Sequence, residues 1–134
     1  MGLTVNIKGY KGAYDCGYVM FYVFRKRLAY AANAEYGALY EKWCDRGLTQ
    51  EECDRANAIM EEMNKPGLDI FLTHSDCDGS FSVKECRMIY EDIKDMTLDM
   101  VGHNYGTMEQ YNMLDRWKDM FQYCFKNRRK MFFE

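Results

Sequence analysis

The chain is poor in several residue types and patterns that mark particular folds and activities. It has one proline, Pro66, in 134 residues, so it offers no Pro-rich linker or polyproline segment. Leucine, isoleucine and valine together number only 18. No window approaches the ~18 uninterrupted apolar residues of a membrane span, which predicts no membrane partner. Charge of one sign is also missing: 18 basic residues stand against 21 acidic ones, a net of −3. Phosphate binding needs a basic excess or at least a long basic stripe, so this balance argues against a protein that coats nucleic acid or an acidic membrane. The residues Cys16, Cys44, Cys53, Cys77, Cys86 and Cys124 contain no C-x-x-C pair. The opening residues lack a basic segment leading into an apolar run, and Asn6 stands where a myristoylation signal wants Ser or Thr. The expectation is an unexported, cytoplasmic protein whose cysteines are free thiols and mostly small core residues. The nucleotide-loop, zinc-protease and nucleophile-elbow patterns are absent as well.

What replaces the aliphatics is methionine and aromatic rings, 32 residues in all. Ten of the 21 aromatics lie between Tyr10 and Trp43 and eight between Tyr105 and Phe133, which leaves Phe71, Phe81 and Tyr90 in the middle. Alternation at Leu3, Val5 and Ile7 predicts a short half-buried strand, followed by a Gly-rich turn. A helix is expected over 18–32, apolar around nearly its whole circumference and therefore central. A second is expected over 34–46, with Tyr36, Leu39, Tyr40 and Trp43 on one side and Gly47 as its stop. Capping boxes at Thr49–Glu52, Ser82–Glu85 and Thr107–Gln110 predict helices over 50–64, 83–101 and 108–127, the first of them stopped by Pro66-Gly67. Met131-Phe132-Phe133 is short enough to pair with the N-terminal strand. The fold class is thus mainly α: one compact domain over 1–134 of about five helices, closed by a two-stranded pairing of N- and C-terminal segments.

One loop carries chemistry. Counting His74 as position 1 of a twelve-residue calcium loop puts Asp76 at 3, Asp78 at 5, Gly79 at 6, Ser80 at 7, Phe81 at 8, Ser82 at 9 and Glu85 at 12. This resembles the EF-hand loop. Carboxylates at 3 and 5 converge on one point, glycine at 6 permits the reversal, the carbonyl at 7 faces the ion, and the glutamate at 12 closes the cage. His74, Asp76, Asp78, Ser80, Ser82 and Glu85 are therefore candidate metal ligands, with calcium as the cofactor. His74 replaces the usual aspartate with a nitrogen that calcium disfavours, and the chain holds no second such loop. The resemblance therefore implies weak calcium binding, or a loop that keeps its shape without metal.

A wider resemblance rests on Tyr14-Asp15-Cys16-Gly17-Tyr18, Phe21, Phe24-Arg25 and Leu28-Ala29. To these it adds His74-Ser75-Asp76-Cys77-Asp78-Gly79 and a C-terminal Phe121, Cys124, Asn127 and Phe133. This pattern looks like that of small uncharacterised proteins of phage, prophage and bacterial genomes. The resemblance implies that His74 belongs to the pattern and implies a phage or gut-bacterial context. It implies no activity.

The first functional expectation is a non-enzymatic binding module with this divergent loop. The alternative is a phage-encoded inhibitor of a host defence protein, or a protein that sequesters a nucleotide signal. For that, Arg25, Arg27, Tyr22, Lys126 and Arg128 would form one basic rim, with Tyr30 and Tyr123 beside it, if the first and last helices packed flank to flank. An unknown protein or a small anionic ligand is then the partner. A third chemistry, zinc or a thiol nucleophile at His74 and Cys77, lacks further ligands nearby and lacks an orienting third group. His103 reads as a solvated loop histidine.

Overall fold

The computed structural model describes residues 2–97, 101 and 113–134. Strand β1 (Gly2–Asn6) buries Leu3 and Val5 as its alternation requires. It pairs antiparallel with β2 (Tyr14–Gly17), Leu3 opposite Cys16 and Val5 opposite Tyr14. The turn between them passes through Gly9 and Gly12, both at positive φ, where a side chain would be strained.

Helix α1 (Tyr18–Ala32) follows β2 directly and buries Phe21, Phe24, Leu28 and Ala29. It is one-sided and not the central helix its composition suggests. Val19 is 74% exposed, and Tyr18, Tyr22 and Val23 keep part of their surface in water. Helix α2 (Ala34–Arg46) is capped by Asn33, whose side chain accepts from the Tyr36 N–H, and ends at Gly47 with φ +86°. Gly37 lets the α1–α2 hairpin close: a Cβ there would lie 2.5 Å from the Tyr30 ring. Helix α3 (Gln50–Met63) starts from the complete Thr49–Glu52 capping box and ends at Asn64 in the left-handed region.

The expected stop at Pro66-Gly67 is instead the start of a further helix, α4 (Pro66–Thr73). Proline is favoured at the first helical position because its missing N–H would have no partner there. Gly67 permits a close crossing with the helix after the loop, since a Cβ would lie 2.1 Å from the Met88 carbonyl oxygen. Lys65 supplies no side-chain cap; the Asp92 carboxylate accepts the Leu68 N–H at 3.0 Å from across that crossing.

After the loop come β3 (Ser80–Phe81) and α5 (Val83–Ile93), the latter opened by the Ser82–Glu85 capping box. The expectation of one helix over 83–101 fails at Ile93. The chain turns at Lys94 and Asp95, Met96 donates back to the Ile93 carbonyl, and Lys118 takes the Met96 carbonyl that helix continuation would have used. Met96 stays buried through this turn without helical continuation. Helix α6 (Met113–Asn127) packs on α5. The third capping box and residues 108–112 lie outside the described residues.

The chain reverses through Arg128 at positive φ into β4 (Met131–Phe133). The expected pairing of the terminal segments is present, Val5 opposite Phe133 and Asn6 opposite Phe132. It is widened on both sides into a four-stranded antiparallel sheet of order β2-β1-β4-β3. The structure is thus mainly helical, with one compact core under a small sheet. At the centre of that core Phe71 of α4 touches Phe21, Phe24, Phe81, Trp117 and Phe121, with ring centroids 5.2–6.3 Å apart.

Candidate functional site

The segment 74–85 follows α4 and runs into the first turn of α5, giving a helix–loop–helix. Its turn is made as the sequence predicts: Gly79 has φ +90°, and Phe81 packs fully buried beneath the loop. The Ser75 hydroxyl accepts the Cys77 and Asp78 N–H groups at 3.2 and 3.3 Å. The short strand finds its partner in β4, and the Phe133 N–H donates to the Gly79 carbonyl at 2.9 Å.

The donors at the ends of the loop have other partners. The His74 ring lies 4.2 Å from the Phe81 ring and 4.9 Å from the Phe133 ring, and donates its Nδ1–H to the Ser75 carbonyl at 2.8 Å. A Cβ on Gly79 would lie 3.1 Å from His74 Nε2. Glu85 accepts the Ser82 N–H at 2.8 Å and thereby completes the helix cap. From α1, the Arg25 guanidinium lies 4.4 Å above the Phe21 ring and donates to the carbonyls of Phe71 and His74 at 3.0 and 2.7 Å. A permanent positive charge thus sits on the carbonyls at the entrance of the loop. Among the described residues no three His, Cys, Asp or Glu side chains stand together as a metal ion requires. His74 packed against Phe81 and Phe133, Glu85 in the helix cap and Arg25 at the entrance thus each find their partners within the chain.

The expected basic rim is not assembled. Helices α1 and α6 meet through buried rings, Phe21 and Phe24 stacking on Trp117 at 5.3 and 6.4 Å. Arg25 faces the loop, and Arg27 is half-buried. Tyr22 donates to Asp45 at 3.3 Å, Lys26 pairs with Glu41, and Tyr30 donates to Glu41 at 2.7 Å. Burial, and then the charge of Asp45, push the Tyr22 phenol up to about 12. Those tyrosines therefore sit beside carboxylates, poor surroundings for an anion. Lys126 and Arg128 are exposed at the far end of α6, and Tyr123 stacks edge-on with Tyr10, whose hydroxyl donates to Asp119.

The thiol reading does not assemble either. The Cys77 sulfur lies 3.5 Å from the Ser75 hydroxyl, while the His74 ring is turned onto Phe81 and Phe133. All six cysteines are free, but only Cys86 and Cys124 are core residues as expected; Cys16 and Cys53 are half-buried, and Cys44 and Cys77 are exposed. In the core, hydrogen bonding to Cys124 and burial raise the Cys86 thiol above its ordinary range. His103 lies outside the described residues.

The structure adds a site that sequence reasoning did not assemble. Between α2, α3 and α4 lies a cavity of about 200 Å³. Tyr36, Tyr40 and Trp43, at helical spacing on α2, form one wall with Leu39; Cys53, Ala56, Asn57 and Met60 of α3 and Leu48 face them; Asp69 and Thr73 of α4 complete the lining. The Tyr40 hydroxyl donates to the Leu72 carbonyl at 2.8 Å, and burial pushes that phenol well up. Burial and the charge of Asp69 push Tyr36 up to about 12. Burial raises Asp69 itself, and its carboxylate has no hydrogen bond or ion pair among the described residues. The α2 stripe and the α3 helix were legible in the sequence. Asp69 was not, because reading Pro66-Gly67 as a stop removed the helix that carries it.

No family model, curated protein or solved structure matches the chain.

Proposed function

We propose that the chain is a non-enzymatic binding module in which residues 74–85 form a divergent EF-hand-like clasp that needs no metal. The observation that carries this reading is Arg25. Its guanidinium donates to the Phe71 and His74 carbonyls and brings to the loop entrance, from within the chain, the positive charge that a calcium ion would bring to such a loop. The cap made by Ser82 and Glu85 and the pairing of β3 with β4 hold the other end. The clasp ties the α4–α5 pair to the sheet, and the ligand surface lies on the helices beside it.

Thermal unfolding in about 5 mM calcium and in chelator tests this, because a ligand bound only by the folded state raises the melting temperature. The two melting temperatures are expected to coincide, in the wild type and in Asp78→Ala alike. A calcium-dependent rise in the wild type that Asp78→Ala abolishes would overturn the metal-free clasp.

A further inference from the structure

We propose that the cavity between α2, α3 and α4 binds a small organic ammonium cation with an aromatic or branched apolar body. The inference rests on reading the chain as a binding module and is independent of the loop. Three features of the cavity select this class of ligand.

The first is an acid without a base. Asp69 lines the cavity, and no cation among the described residues pairs with it. Lys65 lies with Asp69 along an adjoining recess, but its ammonium donates to the Asp92 carbonyl at 3.3 Å. Asp69 is half-buried, and a ligand bringing its own positive charge would give its carboxylate the partner it lacks. The second is the wall. Tyr36 stacks on Tyr40 at 6.5 Å, and Tyr40 meets Trp43 at 5.8 Å, giving a row of ring surfaces to which a cation is attracted. The third is the apolar remainder. Leu39, Leu48, Ala56 and Met60 surround the rings and would cover a hydrocarbon body. An anionic ligand would instead face the Asp69 charge, and a purely apolar one would seal that carboxylate from water without a partner. Trp43, 45% exposed, lines both this cavity and the wider groove leading to the loop, so it stands at the junction of the two.

The chain has two tryptophans, and Trp117 is fully buried in the core, so its indole N–H is an internal reference for that of Trp43. Nuclear magnetic resonance titrations with benzylamine, benzyl alcohol and benzoate at neutral pH compare a cation, a neutral isostere and an anion. Benzylamine is expected to move the Trp43 indole signal while leaving Trp117 in place, and to bind at least about tenfold more tightly than the alcohol or benzoate. In Asp69→Asn, checked for folding by circular dichroism, the preference for the amine is expected to disappear. Equal binding of amine and alcohol by the wild type would overturn the cation assignment while leaving a binding cavity. No shift with any probe up to about 10 mM, the weak end for ligands of this size, would overturn the site itself. The wild-type comparison of the three probes decides the matter even if the variant does not fold.

Discussion

Arg25 illustrates how one side chain on the page of the sequence acquires a different meaning in three dimensions. In the run Arg25-Lys26-Arg27 it looks like one cation of a solvated helix face. In the fold its guanidinium lies on the Phe21 ring and donates to two carbonyls at the end of α4, groups that a helix C-terminus leaves without internal partners. Arg25→Met keeps most of the apolar stem and removes the donors. Hydrogen bonds from a charged group contribute about 2 kcal/mol, so a stability loss of that size is expected in urea unfolding, with no recovery on adding calcium. A loss within about 0.5 kcal/mol would mean that water replaces the guanidinium at no cost. The neighbouring His74 shows the same shift of meaning. Its place at position 1 of the loop reads as an altered ligand, whereas its ring fills the space between Phe81, Phe133 and Gly79. Sequence spacing identifies which residues share a loop; it does not say which of them turn inward to the core.

Helices announced themselves where their ends are chemically marked. The starts of α3 and α5 follow from side chains that accept N–H groups three residues on, and the end of α2 follows from Gly47; the Asn33 cap that starts α2 shows only in the structure. Helix α4 was concealed because its start has no cap of its own and uses Asp92 of α5, a partner 24 positions away. Gly67 is the element-scale counterpart of that concealment. Glycine in a helix is ordinarily a weakness, and replacement by alanine ordinarily stabilises by about 1 kcal/mol. Here a Cβ would lie 2.1 Å from the backbone oxygen of Met88, an atom that no rotamer change can move aside. Gly67→Ala is therefore expected to reverse the usual sign and destabilise by about 2 kcal/mol as α4 and α5 are pushed apart. Urea unfolding measures it. A variant as stable as the wild type would show that the crossing of the two helices has slack.

At the scale of the whole molecule, the division of aromatic residues between the two ends of the sequence becomes a single layer. Phe21 and Phe24 from α1, Trp117 and Phe121 from α6, and Phe133 from β4 converge there, and the two middle rings Phe71 and Phe81 lie among them. Phe133 is the joint of this arrangement. It stands opposite Val5 in the sheet, and its ring touches Phe21, His74, Phe81 and Trp117, so α1, the loop, β3 and α6 all meet one side chain near the end of the sequence. Burial alternates along β4, which leaves the adjacent Phe132 half in water. The pair supplies its own control. Truncating a buried phenylalanine costs about 4 kcal/mol in transfer and cavity terms, a large part of the stability of a chain this size. An exposed one costs within about 0.5 kcal/mol. Phe133→Ala is expected to lower stability by about 4 kcal/mol and Phe132→Ala hardly at all. Unfolding followed by far-ultraviolet circular dichroism and by tryptophan fluorescence is expected to coincide in each variant. Similar small losses in both would mean that the sheet is an appendage and not the closure of the core. Separate transitions in Phe133→Ala would mean that α4 and α5 form a unit stable without it.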